Sequence, residues 1–237
     1  MSKRAVILVG GKGTRLRPYT VVLPKPLMPI GDYPILEVII RQLSQGGFSH
    51  ITLAVNHQAD IIKSYFGNGK KWNVKIDYSL EEMPLSTMGP LKLIKDLPDN
   101  FLVMNGDVLS DINFSEFFDK HVKSGSLFTI SASERLNINE YGVLRTDDDE
   151  NLVEFKEKPR DTFLVSMGIY ALSNKVLDYI PEGEAFGFDH LMYKLIEKKH
   201  FPKVLTHLGS WLDIGRPDDY VQAIDDFERD KKKYLND

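Results

Sequence analysis

The first 110 residues alternate short apolar runs with amphipathic segments, and this alternation constrains the fold most strongly. Arg4–Val9 is a nearly continuous apolar run, which predicts a strand covered on both faces. Pro34–Gly46 begins with proline, ends near glycine and carries apolar residues at helical spacing, which predicts a helix. The same rhythm predicts the strands Ile51–Val55, Val74–Tyr78, Phe101–Met104 and Leu127–Ser131, and the helices Ala59–Phe66 and Phe114–Lys123. Together they predict an α/β protein with a mostly parallel sheet and helices on both faces.

The pattern changes after about residue 135. Gly142–Arg145, Leu152–Phe155 and Val165–Ala171 are short strand-like runs separated by turn residues, which predicts added antiparallel strands. Asp189–Lys198 and Pro217–Phe227 are predicted to close the fold as helices. We therefore expect one continuous domain over residues 1–237, with a second subregion over residues 136–237.

The composition excludes several classes of function. The chain has no cysteine, so disulfides, thiol catalysis and thiolate metal sites are excluded together. No apolar run approaches the roughly 18 residues of a membrane span, and the N-terminal apolar stretch is too short for a signal peptide. A net charge of −4 disfavours nucleic acid as a partner. We expect a cytoplasmic protein that binds neither nucleic acid nor membranes; the oligomeric state is open, and a homodimer is compatible with the sequence.

Basic residues are concentrated at the N-terminus. Residues 1–31 contain no acidic residue, and their basic residues are Lys3, Arg4, Lys12, Arg15, Arg17 and Lys25. In a mildly acidic protein such a block predicts a local binding site for an anion, and a solvated basic patch is the alternative.

A glycine-rich segment, Gly10-Gly11-Lys12-Gly13-Thr14-Arg15-Leu16, directly follows the first predicted strand. Closely spaced glycines let backbone N–H groups approach a ligand and form an anion-binding concavity. The segment lacks the Gly-Lys-Ser/Thr of a Walker A loop, and Leu16 stands where a dinucleotide-binding loop needs a small residue. We interpret it as a phosphate site, with a purely structural turn as the alternative.

An ordered series of motifs carries a resemblance to a known family. The glycine-rich segment is followed by Pro24-Lys25-Pro26-Leu27, Pro29-Ile30, Tyr65-Phe66-Gly67-Asn68-Gly69, Glu81 with Pro84-Leu85-Ser86-Thr87-Met88-Gly89, Asn105-Gly106-Asp107, Tyr141-Gly142-Val143, Glu157-Lys158-Pro159, Gly168-Ile169-Tyr170 and Trp211-Leu212-Asp213-Ile214-Gly215. In this order the motifs resemble those of the sugar-1-phosphate nucleotidylyltransferases, also called nucleoside-diphosphate-sugar pyrophosphorylases. Members with a C-terminal β-helix are longer, so the chain resembles the short form.

The resemblance implies a three-layer α/β/α nucleotide-binding fold. It also implies a Mg²⁺-assisted reaction in which an NTP and a sugar 1-phosphate give an NDP-sugar and pyrophosphate. Residues 1–135 would then form the nucleotide-binding part, and residues 136–237 the sugar-phosphate-binding and closing part.

The resemblance also implies roles for particular residues. Arg15 and Lys25 would act on the phosphates, since both reactants are anionic and catalysis needs alignment and charge neutralisation. The implied nucleotide-binding residues are Leu8, Val9, Gly10, Gly11, Gly13, Thr14, Glu81, Ser86, Asn105 and Gly106.

Two separated aspartates, Asp107 and Asp213, would share one Mg²⁺, which takes oxygen ligands and keeps waters and phosphate oxygens in its shell. Asp111 is interpreted as a turn or helix-start residue. The histidines His57, His121 and His207 show no metal-ligand spacing, so we expect surface or packing roles for them. Trp211 is expected to pack and to fix Asp213.

Glu81 suggests which base is bound. An ionised carboxylate only accepts hydrogen bonds, and guanine offers a ring N–H beside an amino group. This favours GTP, with UTP or dTTP as the alternative. Ser86 replaces the glycine usual in the family, and would be strained if that position needs a positive φ.

The sugar 1-phosphate would be bound by Gly142, Glu157, Lys158 and Ser166. Ser166 stands where the family often has asparagine, which leaves the identity of the sugar open. A different class of function also stays open, a catalytically inactive relative that senses an NDP-sugar. Retention of the implied catalytic and metal residues argues against it.

Overall fold

The first strand is buried on both of its faces, so the sheet is covered on both sides. The computed structural model describes residues 3–11, 13–56 and 58–235. Within β1 (Lys3–Leu8), Ala5 and Ile7 pack into one hydrophobic core while Val6 packs into a second one on the opposite face. Successive side chains of a strand point to opposite faces, so an unbroken apolar run must be covered twice.

The remaining strands are β2 (Pro29–Ile30), β3 (Tyr33–Pro34), β4 (Phe48–Val55), β5 (Lys75–Leu80), β6 (Asn100–Asn105), β7 (Val108–Ser110), β8 (Phe128–Ile138), β9 (Val143–Thr146), β10 (Leu152–Lys156), β11 (Arg160–Ser173), β12 (Lys203–Thr206) and β13 (Trp211–Asp213). The α-helices are α1 (Ile35–Gln45), α2 (Ala59–Phe66), α3 (Phe114–Ser124), α4 (Phe188–Glu197), α5 (Pro217–Arg229) and α6 (Lys231–Tyr234). Short 3₁₀ helices cover Thr14–Leu16, Tyr19–Val21, Lys25–Leu27, Lys70–Trp72, Gly89–Leu93 and Asn174–Tyr179.

The central sheet has seven strands in the order β12-β8-β11-β6-β1-β4-β5. Only β11 runs antiparallel to its neighbours β6 and β8, while the other pairings are parallel. The predicted α/β fold with a mostly parallel mixed sheet is therefore confirmed.

Helices cover both faces of this sheet. One core takes apolar side chains from α1, α2, α3 and α5, and the other takes Leu191 and Leu195 of α4. The predicted helices are all present, with ends that differ from the prediction by at most two residues.

The antiparallel part is larger than the sequence predicts. β9 and β10 form a separate hairpin, as predicted. However, β8 and β11 run well past their predicted limits, and pair with each other from Phe128 to Ile138 as an extended ribbon. The outer part of this ribbon carries polar and charged residues among its apolar ones and is exposed on both faces, so no buried periodicity marks it in the sequence.

Five short strands were not predicted: β2, β3, β7, β12 and β13. β7 and β13 are three residues each and form a two-stranded antiparallel ribbon beside the main sheet. Runs this short carry too little periodicity to be recognised. In the part of the chain that is described, no helix is long and apolar enough to cross a membrane.

Candidate functional site

A cavity of about 910 Å³ lies at the carboxyl ends of the parallel strands. It is lined by Leu8, Val9, Gly10, Gly11, Lys25, Pro26, Ala54, Asn56, Glu81, Glu82, Met83, Pro84, Ser86, Thr87, Pro90, Asn105, Gly106 and Asp107. β1, β4 and β6 are mutually parallel, so the segments that follow them converge at one edge of the sheet. Ligands of open α/β sheets bind at this edge.

The glycine-rich segment turns sharply at Gly13, which has φ 59°. A Cβ at this position would lie 3.0 Å from the Thr20 Cγ2 and 3.3 Å from the Lys25 Cβ, so both conformation and space require glycine. The Thr20 hydroxyl donates to the Gly13 carbonyl at 2.6 Å, and Thr14 and Arg15 follow in a 3₁₀ turn. Lys12 lies outside the described residues.

Leu8 and Val9, which precede the glycine-rich segment, still form hydrogen bonds within the sheet. The Leu8 carbonyl accepts from the Gly106 amide at 2.9 Å, and the Val9 amide donates to the Ala54 carbonyl at 2.9 Å. Gly10 and Gly11 are therefore the first residues beyond the sheet whose backbone faces the cavity.

Lys25 and Asp107 come from different parts of the chain and form an ion pair. Lys25 opens a 3₁₀ turn between two buried prolines, and its side chain is itself largely buried. Asp107 lies two residues beyond the end of β6, and its Oδ2 forms an ion pair with the Lys25 ammonium. The other oxygen of Asp107, Oδ1, is buried and has no hydrogen-bond partner among the described residues.

Asp213 and Arg15 complete this cluster. Asp213 pairs with Val108 across the β7–β13 ribbon, and the Ile214 amide donates to the Asp107 carbonyl at 3.0 Å. Burial and the nearby Asp107 charge raise the pKa of Asp213, and the positive charges of Lys25 and Arg15 oppose that rise. The Arg15 guanidinium lies over Gly215, 3.4 to 3.5 Å from the position a Cβ would take there.

This donor set has the chemistry of a Mg²⁺ site. It offers two neighbouring carboxylates, one of which has a buried oxygen without a partner. Mg²⁺ is bound in proteins by one or two carboxylates together with waters and substrate phosphates. The described residues contain no cluster of three or more histidines and acidic residues that would bind a metal without such additional ligands.

Glu81 also lines the cavity, next to Gly10. Its amide donates to the Val55 carbonyl at 2.8 Å, which fixes its backbone to the end of β4. Its Oε1 accepts from the Leu85 amide at 2.5 Å, and its Oε2 lies beside Gly10, 3.4 Å from the position that a Cβ would take there. One carboxylate oxygen thus shapes the loop of residues 81–87, and the other is turned toward the glycine-rich segment.

The loop of residues 84–89 is tied to the segment that leads into α4. The Phe186 amide donates to the Leu85 carbonyl at 2.9 Å, and the Phe188 amide donates to the Thr87 hydroxyl at 2.8 Å. Ser86 has φ 65°, the left-handed conformation that favours glycine. The sequence predicts strain at Ser86 if this position needs a positive φ, and the structure has that positive φ.

Asn105 and Gly106 form the floor of the cavity. A Cβ at Gly106 would lie 2.5 Å from the Val9 Cγ1, and a Cβ at Gly168 would lie 2.7 Å from the Asn105 amide nitrogen. Gly168 sits in an irregularity of β11 with φ 73°. Ser166, just before it, binds within its own strand: its hydroxyl contacts the Tyr170 hydroxyl at 3.1 Å and accepts from the Gly168 amide at 3.3 Å.

The other residues assigned to the sugar phosphate lie outside this cavity. Gly142 and Glu157 are neighbours, since a Cβ at Gly142 would lie 3.2 Å from the Glu157 Oε2. Lys158 follows with φ 43°, and all three are exposed on the β9–β10 side of the molecule. None of them is among the residues that line the cavity.

The N-terminal basic block does not act as one unit, which corrects the sequence interpretation. Lys3 and Arg4 begin β1, about 13 to 17 Å from its carboxyl end. Lys3 pairs with Asp119 at 2.8 Å, and the buried Arg4 pairs with Asp96 at 3.0 Å. Only Arg15 and Lys25 of the described basic residues in this block are placed here in the carboxylate cluster.

The structure also corrects the interpretation of Asp111 as a turn or helix-start residue. Asn113, not Asp111, caps α3 by accepting from the Glu116 amide at 3.0 Å. Asp111 instead contacts His207 at 2.7 Å and Lys233 at 3.3 Å.

The expected packing roles of His121 and Trp211 are confirmed. His121 is buried against Thr129 and Asn100, and the Trp211 indole donates to the Met167 carbonyl at 2.9 Å. His57 lies outside the described residues.

Sequence reasoning missed Asn56. It follows β4, lines the cavity, and donates its side-chain amide to the Gly10 carbonyl. The signal was available, since a polar residue just past the end of a parallel strand belongs to the ligand-binding edge.

The fold and this site define a mixed α/β protein whose candidate site combines a glycine-rich turn, two cations and two carboxylates at the ends of parallel strands. The chain belongs to the nucleotidyl transferase family, whose model matches residues 4–230.

Relatives with known names agree with this family. The chain is 34% identical to UTP–glucose-1-phosphate uridylyltransferase of Synechocystis sp., over 93% of this chain and 62% of the relative. It is 31% identical to mannose-1-phosphate guanylyltransferase of Mycobacterium tuberculosis, over 95% of this chain and 64% of the relative. The chain thus spans slightly less than two thirds of the length of these relatives.

A solved structure matches over its whole length. The crystal structure of HddC from Yersinia pseudotuberculosis has a TM-score of 0.73 and 29% sequence identity, over 95% of this chain and 99% of that one. A second structure of HddC, complexed with GMP-PN, has a TM-score of 0.71 at the same identity.

Proposed function

We propose that this chain is an enzyme that transfers a nucleotidyl group from an NTP, with GTP favoured, to a sugar 1-phosphate. The products are an NDP-sugar and pyrophosphate. The observation that carries this proposal is the cluster of Arg15, Lys25, Asp107 and Asp213, in which Lys25 and Asp107 line the cavity together with Gly10 and Gly11.

The proposed reaction needs alignment and charge neutralisation more than proton transfer. An oxygen of the sugar phosphate attacks the α-phosphorus of the NTP, and the bond from that phosphorus to the bridging β-phosphate oxygen breaks. The electron pair of that bond leaves with pyrophosphate, whose charge increases as it departs. No general base is required, because the attacking phosphate is already ionised near neutral pH.

Arg15 and Lys25 are proposed to bind the phosphates. The guanidinium of Arg15 is planar and can hold two phosphate oxygens at once, and the exposed side chain lies beside the carboxylate cluster. The Lys25 ammonium is held by a rigid, buried turn, so little reorganisation is needed when charge develops on the leaving group.

Asp107 and Asp213 are proposed to hold Mg²⁺. The buried Asp107 oxygen without a hydrogen-bond partner and the adjacent Asp213 carboxylate support this assignment. When bound, Mg²⁺ supplies positive charge that offsets the charge of the phosphates. Asp107 and Asp213 would hold this ion, and Asp107 also keeps Lys25 in place through their ion pair.

Glu81 supports guanine as the base. Glu81 lines the cavity beside Gly10, and guanine has two adjacent N–H donors from which a carboxylate can accept hydrogen bonds. The guanylyltransferase relative and the HddC complex with GMP-PN add support. UTP is the second candidate, because a uridylyltransferase is also among the relatives and because the Leu85 amide already occupies Glu81 Oε1.

The sugar 1-phosphate is proposed to bind between the cavity and the β9–β10 side, with Gly142, Glu157 and Lys158 as contacts. Asn105 lies at the boundary, since it lines the cavity and also contacts Gly168 of β11. Ser166 is proposed to shape this region through the Gly168 backbone, because its hydroxyl is already engaged. The division into parts at about residue 135, the cytoplasmic location and a homodimer stay predictions.

A pyrophosphate-release assay tests the proposal. GTP, UTP, dTTP and ATP are each combined with mannose 1-phosphate and glucose 1-phosphate, in Mg²⁺ or in EDTA. We expect Mg²⁺-dependent release that needs both substrates and is fastest with GTP. If no NTP is turned over with any sugar 1-phosphate while an NDP-sugar still binds, the chain is an inactive sensor and the proposal is wrong.

A further inference from the structure

We propose that Asp111 is a positioning residue that fixes the β7–β13 ribbon, which carries Asp213 and begins directly after Asp107, by anchoring His207 and Lys233 against its outer end. This inference rests on the proposed metal site. It concerns a residue to which the proposed reaction gives no role.

The ribbon of β7 and β13 is too short to hold its own register. It consists of three residue pairs, Trp211 with Ser110, Leu212 with Leu109, and Asp213 with Val108. An isolated two-stranded pairing is marginally stable in water, and a slip by one residue would turn every side chain to the other face. The position of Asp213 relative to Asp107 therefore depends on how the two ends of the ribbon are held.

The inner end of the ribbon is closed at the site, where the Ile214 amide donates to the Asp107 carbonyl. The outer end is closed around Ser210. The Ser110 hydroxyl and the Asp111 amide both donate to the Ser210 carbonyl, at 3.0 and 3.3 Å. The buried Gln42 side chain of α1 also donates to the Ser110 carbonyl at 2.8 Å.

The Asp111 side chain links this outer end to two other segments. Its Oδ1 lies 2.7 Å from the His207 Nε2, and its Oδ2 lies 3.3 Å from the Lys233 ammonium of α6. Lys233 also donates to the Ser210 hydroxyl at 2.5 Å. His207 is in turn held to β8, because its amide donates to the Ala132 carbonyl at 2.7 Å.

The local backbone is shaped around this contact. A Cβ at Gly209 would lie 2.3 Å from the Asp111 Oδ1 and 2.6 Å from the His207 Nε2, so only glycine leaves room for the pair. Asp111 is mostly buried, with 15% of its side chain exposed. A partly buried carboxylate with two cationic or polar partners restricts the movement of the segments it joins far more than an exposed ion pair does.

Asp111 lies four residues beyond Asp107, about 13 Å along an extended chain. It acts through the ribbon and does not touch the reacting atoms. Loss of its contacts should loosen the register of β13 and weaken metal binding, while the cavity for the nucleotide stays intact.

The test measures Mn²⁺ binding to the nucleotide-free protein by electron paramagnetic resonance, together with the Mg²⁺ concentration dependence of turnover. Asp111→Asn should weaken Mn²⁺ binding about tenfold, in the range that loss of an outer contact costs a metal site. Lys233→Met should weaken it by about threefold on the same grounds. Both variants should keep the KM for the NTP at saturating Mg²⁺.

Asp77→Asn is the matched control. Asp77 has the same kinds of partner, His50 at 2.6 Å and Lys75 at 2.7 Å, but it lies on the edge strand β5 and away from the ribbon. The Asp77 side chain is more exposed than that of Asp111, 39% against 15%, so this variant should lose less thermal stability and should bind Mn²⁺ as the wild type does. If Asp111→Asn fails to fold, Lys233→Met alone decides the result.

The outcomes separate this inference from the proposed function. If Asp107→Asn does not weaken Mn²⁺ binding, the metal assignment itself is wrong. If Asp107→Asn weakens it while Asp111→Asn and Lys233→Met bind Mn²⁺ as the wild type does, the positioning role is overturned and the metal site stands.

Discussion

Asp213, which we propose as a metal ligand, works against the stability of its own fold. Burial, followed by the neighbouring Asp107 charge, raises the pKa of Asp213. The folded state therefore binds a proton at this carboxylate more tightly than the unfolded state does. The ionised form costs stability, and this cost disappears as the pH falls through the raised pKa.

Asp213→Asn should consequently retain or increase the free energy of unfolding at pH 7 while turnover is lost. We expect kcat/KM to fall by about 100-fold or more, as when one electrostatic group at a transition state is removed. Urea unfolding and pyrophosphate release measure the two effects. A variant that unfolds more easily yet turns over normally would contradict both parts of the account.

Glu81→Gln tests the base preference. Glutamine keeps a carbonyl oxygen to accept from the Leu85 amide but removes the charge from the cavity. Hydrogen bonds to charged groups contribute about 1.5–3 kcal/mol, so kcat/KM for GTP should fall by about 10- to 100-fold and that for UTP by less. Glu82→Gln, a neighbouring change in the same cavity lining, is the control and should leave the ranking of NTPs unchanged.

Ser86 carries backbone strain that glycine would relieve. Its φ of 65° lies in the left-handed region, which costs residues with a Cβ about 1 kcal/mol or more. Ser86→Gly should therefore exceed Ser86→Ala in free energy of unfolding by about 1 kcal/mol, since alanine keeps the Cβ. Equal stabilities of the two variants in guanidinium would show that Ser86 is not strained.

At the scale of elements, α3 is fixed to the sheet through a buried histidine. His121 contacts Thr129 of β8 and Asn100 of β6, at 2.7 and 3.2 Å. Burial lowers the pKa of His121 to about 4. Between pH 6.5 and 4 the unfolded chain therefore binds more protons at this residue, and stability is lost as the pH falls through that window.

The wild type should lose about 2 kcal/mol of unfolding free energy between pH 7 and pH 5 from this residue alone. His121→Gln removes the titrating group and should give a correspondingly flatter profile. The difference between the two profiles, measured by urea unfolding at each pH, isolates His121 from the other histidines. Parallel profiles would mean that His121 is not held neutral by the fold.

The elements that could be predicted are those with a buried periodic face. β1 and α1 carry long apolar patterns, and their predicted bounds are within one residue of those observed. β7 and β13 could not be predicted, because three residues give no period and their pairing joins segments about 100 residues apart. Yet this pairing is what brings Asp107 and Asp213 together, so the proximity of the two aspartates depended on the family resemblance.

At the scale of the whole molecule, charge along the sequence was a poor guide to charge in space. Lys3 and Arg4 share an acid-free block with Arg15 and Lys25, but a strand carries the two pairs to opposite ends of the sheet. The nucleotide side was more predictable than the sugar side. The carboxyl ends of parallel strands meet at one edge of a sheet, and ligands bind there. No comparable rule fixes the position of the exposed β9–β10 hairpin.

The proposed reaction depends on Asp107 and Asp213 acting together on one divalent ion beside the nucleotide. A crystal structure of the protein with a GTP analogue and Mn²⁺, with the metal located by anomalous scattering, tests this most directly. We predict a single strong peak bound by both carboxylates, with the phosphates against Gly10–Arg15. Nucleotide bound in the cavity with manganese elsewhere, and both aspartates occupied only by Lys25 and Arg15, would contradict it.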